Sequence, residues 1–218
     1  MKPEAVLKKY FGYEHFREGQ KELITHILEG QDVLGIMPTG AGKSICYQVP
    51  AVMLEGITLV ISPLISLMKD QVTTLNQAGI RAAYLNSSLT YTQYKKAIQL
   101  ARQYMYKIIY VAPERLMSED FLSFAKTMRI AMVCVDEAHC VSQWGQDFRP
   151  HYLEIQDFIA QLKQRPIVSA FTATATSQVK EDIQTFLRLQ NPYCMSTGFD
   201  RKNLFFSVER VKNKYAYV

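Results

Sequence analysis

Short, continuous apolar runs alternate along this chain with stretches whose apolar positions recur every three or four residues. The runs fall at residues 32–37, 57–62, 81–85, 107–112, 132–136 and 167–172. Each is long enough for a strand and shows no polar alternation, the mark of a strand buried on both faces. The amphipathic stretches at 20–28, 43–53, 64–78, 92–102, 119–127 and 152–162 read as helices. A further helix is predicted at 178–187, with Ser177 as its N-cap. Strands and helices in alternation predict an α/β fold: a mostly parallel central sheet with helices on both faces. No internal repeat or low-complexity segment interrupts the pattern.

The rhythm changes after Asn191-Pro192. Residues 199–203 read as a linker, and 204–211 as a strand with no sheet of its own to join. The expected organisation is one domain over residues 1–198, with 199–218 forming a linker and the start of a second, truncated domain.

Composition narrows the class only a little. With 218 residues, 48% hydrophobic and 21% charged, the chain can bury a full core. No stretch approaches the roughly 18 apolar residues of a membrane span, and the charged N-terminus lacks a signal peptide's apolar segment, so the expected location is the cytoplasm. The four cysteines form no CxxC pair, which predicts buried reduced thiols and no zinc. A net charge of +5 suits a polyanionic partner without proving one.

The sharpest chemical signal is Pro38-Thr39-Gly40-Ala41-Gly42-Lys43-Ser44, directly after the first core run and opening a helix. Gly40 and Gly42 let the backbone turn tightly, so that successive N–H groups face phosphate oxygens. Lys43 brings a point charge to the β- and γ-phosphates, and the Ser44 hydroxyl can coordinate Mg²⁺. The helix adds its positive end. A strict phosphate loop has Gly where this chain has Met37, so the motif is a variant. Such a site also needs a metal carboxylate on a neighbouring strand. The run at 132–135 ends in Asp136 and Glu137, which suit a metal anchor and a general base for the attacking water.

With Asp136-Glu137-Ala138-His139 in place, the chain resembles a superfamily-2 helicase. Nearly all of it, from about residue 7 to 206, is similar to the first RecA-like, P-loop NTPase domain of RecQ-family DNA helicases. The segments that carry the resemblance are Phe11-Gly12-Tyr13, Phe16-Arg17-Glu18-Gly19-Gln20, the phosphate loop, Ser62-Pro63-Leu64-Ile65-Ser66-Leu67-Met68-Lys69-Asp70-Gln71, and Pro113-Glu114-Arg115-Leu116. Ser142-Gln143-Trp144-Gly145-Gln146-Asp147-Phe148-Arg149-Pro150 is the most specific; Phe171-Thr172-Ala173-Thr174-Ala175 and Phe199-Asp200-Arg201-Lys202-Asn203 complete the set.

The resemblance implies that residues 7–20 hold an adenine-recognition set. Gln20 meets the base edge, and Tyr13 or Arg17 stacks on its face; an ordinary packed N-terminal segment is the plain alternative for Tyr13 and Phe16. It implies that Ser62, Lys69 and Arg115 face single-stranded nucleic acid, with most of the side chains at 64–68 in the core. Trp144, Phe148 and Arg149 become a stacking platform that couples DNA to hydrolysis, although Trp144 also reads as a buried lid residue. It adds His139 to the catalytic set, and lets Thr172 and Thr174 bond His139 or Glu137.

ATP, Mg²⁺, single-stranded and partly duplex DNA, and a second RecA-like domain are the implied partners, with 3′ to 5′ translocation as the activity. A DEAD- or DEAH-box RNA helicase lobe, or a non-catalytic nucleic-acid-binding module of the same fold, are the competing readings. A second domain would supply an arginine finger and the far wall of the cleft. The 218-residue chain alone is therefore expected to bind ATP weakly, hydrolyse it poorly and leave duplex DNA intact. Its turnover with and without DNA is the measurement; robust strand-dependent hydrolysis by the chain alone contradicts the expectation.

Overall fold

The computed structural model describes residues 1–198. Its N-terminus is a short helix α1 (Pro3–Val6), opened by proline at its first turn, that runs into a wider turn at Leu7–Phe11. Then follow α2 (Gln20–Leu28), β1 (Val33–Ile36), α3 (Lys43–Met53), β2 (Ile57–Ile61), α4 (Ile65–Gln77), β3 (Ala82–Leu85), α5 (Tyr91–Arg102), β4 (Ile108–Val111), α6 (Glu119–Thr127), β5 (Ile130–Val135), α7 (Glu154–Ala160), β6 (Ile167–Thr172), α8 (Ser177–Phe186) and β7 (Tyr193–Ser196). The strands form one sheet in the order β3-β4-β2-β5-β6-β1-β7, and every pairing is parallel.

Parallel strands need crossovers, and here helices supply them on both faces. Alternate strand residues feed two cores. Leu34, Leu59, Ile109, Val133 and Val168 pack under α5, α6, α7 and α8, where Phe121, Phe124 and Phe158 fill the space. Val33, Val60, Tyr110, Cys134 and Phe171 face the other way, against Leu23 of α2, Tyr47 of α3 and Val72 of α4. A smaller cluster of Val6, Leu7, Ile24 and Val49 docks the N-terminal segment. Cys46, Cys134 and Cys140 are buried free thiols, and burial pushes Cys46 and Cys140 up to about 12.

Several expectations change in detail. The predicted helix at 178–187 begins at Ser177, and its cap is Thr176, whose hydroxyl accepts from the Val179 amide at 3.3 Å. The predicted helix at 152–162 splits into a tight turn at Pro150–Tyr152 and the shorter α7, because Tyr152 turns inward and donates its hydroxyl to the Asp136 carbonyl at 2.9 Å. The predicted helix at 92–102 starts one residue earlier, behind a capping box between Thr90 and Gln93. Strand β7 is new; it extends the sheet beside β1. The predicted strand at 204–211 lies outside the described residues. Among the described residues no helix is long and apolar enough to cross a membrane.

One buried ion pair ties the lower edge of the sheet together. Asp32, 2% exposed, accepts from Arg165 at 2.6 and 3.1 Å, from the Val168 amide at 2.8 Å and from the Gln190 amide at 2.7 Å. It thereby locks the starts of β1 and β6 to the segment leading into β7. Replacing Asp32 with Ala strands a cation and two amides, and should cost about 3 kcal/mol. Urea unfolding of the two proteins checks this; a loss under about 1 kcal/mol marks the pair as surface-like.

Candidate functional site

Because β1, β5 and β6 are parallel neighbours, their C-terminal ends deliver three loops to one edge of the sheet. After β1 the chain passes through residues 37–42 and enters α3 at Lys43. Gly40 and Gly42 both take φ +86°, a left-handed conformation that L side chains rarely adopt. The Met37 amide donates to the Thr172 carbonyl at 3.0 Å, so the loop begins pinned to β6. Lys43 folds back over the loop and donates to the Met37 carbonyl at 3.1 Å.

The N-terminal segment closes on this loop from the side. Gln20 is 3% exposed and opens α2. Its side-chain oxygen accepts from the Arg17 amide at 2.9 Å, and its amide nitrogen donates to the Ala41 and Gly42 carbonyls at 3.2 and 3.0 Å. Arg17 adds a guanidinium contact to the Gly40 carbonyl. The two N–H groups of Gln20 are thus spent on the phosphate loop itself. Tyr13 and Phe16 part company: Tyr13 is 54% exposed and reaches the cleft, whereas Phe16 packs against the small N-terminal cluster.

The acids stand opposite. Asp136 continues β5, with its amide on the Ile61 carbonyl at 2.9 Å, and is 7% exposed. Burial pushes its carboxyl from an ordinary 3.8 up to about 6; repulsion by Glu137 adds to this, while the Glu137 amide at 3.0 Å and the Lys43 charge oppose it. Glu137 sits at φ +49°, ψ +47°, an uncommon backbone state for a non-glycine residue and a typical one for functional turns. Its carboxylate lies 3.4 Å from His139 Nδ1. That ring nitrogen also meets the Thr172 hydroxyl at 2.8 Å, and Thr172 donates onward to the Thr174 carbonyl at 3.1 Å. Of the two partners open to Thr172, the structure selects His139.

A single cleft of about 400 Å³ takes in Tyr13, Arg17, Gln20, Thr39, Gly40, Gly42, Lys43, Ser44, Asp136 and Glu137. Sequence reasoning missed three further wall residues, His15, Ile45 and Leu67. His15 and Leu67 lie inside segments already singled out, at 7–20 and 62–71, but nothing in the sequence marks Ile45 or Leu67 as facing a nucleotide rather than the core.

The residues expected to meet nucleic acid are placed less uniformly. Ser62 is 1% exposed with an unpartnered hydroxyl, because the ladder runs one residue past β2: its amide donates to the Val111 carbonyl at 3.2 Å. It is not a surface contact. Of residues 64–68, only Met68 is buried, and Leu64 and Ile65 are 44% and 39% exposed. The first turn of α4 therefore carries exposed apolar side chains. Lys69 is exposed. Arg115 lies over the Tyr94 ring, 5.4 Å from its centre. Trp144 is 77% exposed, which rules out the lid reading. Phe148 is half-buried, and Arg149 is held by Asp147 at 2.8 and 2.9 Å while donating to the Pro63 carbonyl at 3.3 Å. Of the three residues expected to form a platform, Trp144 alone is fully free to solvent, Phe148 is half-buried and Arg149 is paired.

Comparison with known proteins agrees with this geometry. The family model described as DEAD/DEAH box helicase matches residues 17–183. The chain is 47% identical over 216 residues to the ATP-dependent DNA helicase RecQ of Bacillus subtilis (strain 168), covering 99% of this chain and 36% of that protein. It is 46% identical over 210 residues to the RecQ of Haemophilus influenzae, covering 95% and 34%. The ATP-dependent helicase wrn-1 of Caenorhabditis elegans is 41% identical over 212 residues, covering 95% and 20%. The chain thus spans about a third or less of the length of these relatives. Among solved structures, the DUF1998 helicase MrfA bound to DNA superposes with a TM-score of 0.73 at 18% identity, covering 89% of this chain and 29% of that one. A hypothetical ATP-dependent RNA helicase from Sulfolobus tokodaii gives 0.69 at 23% identity, covering 89% and 56%. These two share the fold. With a family match across most of its length, the chain belongs to the DEAD/DEAH box helicases, and within them it is similar to RecQ DNA helicases.

Proposed function

We propose that this chain is the ATP-binding motor lobe of a RecQ-like DNA helicase. The observation that carries the reading is the shared cleft, in which Lys43 and Ser44 at the start of α3 face Asp136 and Glu137 at the end of β5, one strand removed from β1 in the sheet. In this reading the loop amides and Lys43 hold the phosphates, Tyr13 and Arg17 flank the base, and Gln20 joins the base wall to the loop. Glu137 takes the proton from the attacking water, held in place by its left-handed backbone. His139 ties Glu137 to Thr172, so a change at the hydrolytic acid reaches the Trp144 side of the lobe.

The residues also fit a divalent cation. Among the described residues no cluster of three or more His, Cys, Asp and Glu side chains can cage a metal. A buried carboxylate that lacks sufficient counter-charge, in the same cleft as a serine hydroxyl, suits Mg²⁺, which takes one or two protein ligands and completes its shell with phosphate oxygens and water. Asp136 and Ser44 would hold it, and it would neutralise charge on the transferred phosphoryl group.

In the whole protein we assign the lobe to ATP-driven 3′ to 5′ movement on single-stranded DNA and duplex unwinding in DNA repair and recombination. A second RecA-like domain supplies the opposite wall. The naming of the relatives as DNA helicases favours DNA over RNA. Paired DNA and RNA oligonucleotides of one sequence test that choice, since direct contacts alone report a 2′-hydroxyl.

Lys43→Ala should weaken binding of a fluorescent ATP analogue by at least about tenfold while leaving the unfolding midpoint within error. Unchanged nucleotide binding in this variant refutes the assignment. The acid site makes a second prediction. The folded protein holds the Asp136 proton up to about pH 6, above the unfolded value near 3.8, so this group's stabilising contribution is full below that value and is lost as pH rises to about 6. Asp136→Asn should therefore make the metal-free chain more stable than the parent at pH 7–8, by about 1–3 kcal/mol. The same change should abolish Mg²⁺-dependent tightening of nucleotide binding. In the parent, that tightening should fall about tenfold per pH unit below about 6. Thermal and urea unfolding from pH 5 to 8, with nucleotide titrations at each pH, measure both effects.

A further inference from the structure

The Trp144 loop is held through its backbone amides, and behind them stands a side chain outside every motif, Asp182 of α8. Ser142 is fully buried at the end of the tight turn Ala138–Val141 that carries His139. Its hydroxyl accepts from the Trp144 amide at 3.1 Å and donates to Asp182 Oδ2 at 2.6 Å. The other oxygen of Asp182 accepts from Gln178 Nε2 at 3.0 Å, one turn back along α8. On the opposite side of the loop the Gly145 amide donates to the Ser142 carbonyl at 3.0 Å. A Cβ at Gly145 would collide with the His139 carbonyl oxygen. Backbone and turn therefore meet without a side chain between them, while the indole projects into solvent over a hollow of about 320 Å³ lined by Thr174, Ala175, Thr176 and Val179.

A hydroxyl hydrogen bond to a carboxylate is short and strong, and it fixes the direction of the Ser142 lone pair that receives the Trp144 amide. Without the carboxylate the hydroxyl proton can turn elsewhere, and the same lone pair no longer has to face Trp144. β6 and α8 thus serve the loop at two points: Thr172 holds His139 from one side, and Asp182 holds Ser142 from the other. We infer that Asp182 is a positioning residue, acting through Ser142 to set the pose in which the Trp144 indole meets a nucleic-acid strand. The nucleic-acid partner in this statement rests on the function proposed above; the anchoring of Trp144 does not.

Trp144 is the single tryptophan of the chain, so its intrinsic fluorescence reports on this loop directly. Two readings on the 218-residue chain test the inference: steady-state anisotropy of Trp144, and its quenching by a single-stranded oligothymidylate. Asp182→Ala should lower the anisotropy and weaken oligonucleotide binding about tenfold, the scale of one lost base stack. Affinity for a fluorescent ATP analogue should stay within about twofold, because no residue of α8 lines the nucleotide cleft. Asp182→Asn keeps an oxygen that accepts from Ser142 and should restore both readings to within about threefold of the parent. Ser142→Ala removes the relay from the other end and should match Asp182→Ala, with no further loss in the double variant. Parent-like anisotropy in both Asp182→Ala and Ser142→Ala overturns the inference. So does an Asp182→Asn protein that falls as far as the alanine variant. If the oligonucleotide fails to quench even the parent, the nucleic-acid reading of the loop falls, and anisotropy alone still decides whether Asp182 holds Trp144.

Discussion

Everything at this site depends on neighbouring strands running in the same direction. In a parallel ladder every C-terminal strand end lies on one edge, so the loops leaving β1, β5 and β6 meet without any long-range loop to bring them together. The ladder also fixes their height. Met37 and Asp136 each extend the pairing by one residue beyond their strands, through the Thr172 and Ile61 carbonyls. Phosphate loop, acids and Thr172 are therefore set by backbone hydrogen bonds before any side chain contributes. The cost of parallel pairing is burial on both faces of the inner strands, which is why β1, β2 and β4 are so predominantly apolar.

That same burial made most of the fold legible. Runs such as Ile57–Ile61 and Ile108–Val111 have no polar alternation, and such runs separated by amphipathic helices specify a parallel sheet. β7 escaped because Tyr193–Ser196 is a short, half-exposed edge strand just after Pro192, without the apolar signature of its neighbours. Ser62 shows a different limit. Its place at a strand end was clear, but whether the hydroxyl faced solvent depended on one more rung of the ladder, which no local pattern encodes. The first turn of α4 shows the complementary limit: Leu64 and Ile65 look like core by residue type, yet both are exposed in the folded chain.

Within the site, residue types were readable and their bonding was not. The phosphate loop and the Asp136-Glu137 pair follow from chemistry that few residue types can perform. Gln20 could be picked out as an amide suited to a base edge, but its commitment to the Ala41 and Gly42 carbonyls is a property of the folded chain. Asp182 carried no signal at all, since a carboxylate on an amphipathic helix is ordinary until a buried hydroxyl is found beneath it. Residues that hold functional residues are the part of a site that sequence pattern conceals most thoroughly.

The two glycines of the phosphate loop share a backbone angle but not a constraint. At Gly40 an added methyl would find open space, so only the left-handed backbone resists it, and asparagine tolerates that region far better than most residues. At Gly42 the methyl would also run into the amide nitrogen of Gln20. A side chain at position 42 would thus displace the Gln20 amide from the loop carbonyls it holds, whereas one at position 40 would disturb no neighbour. Two members of one motif, a single residue apart, are in this way held by different constraints, one set by torsion alone and the other by torsion together with a side chain at the start of α2.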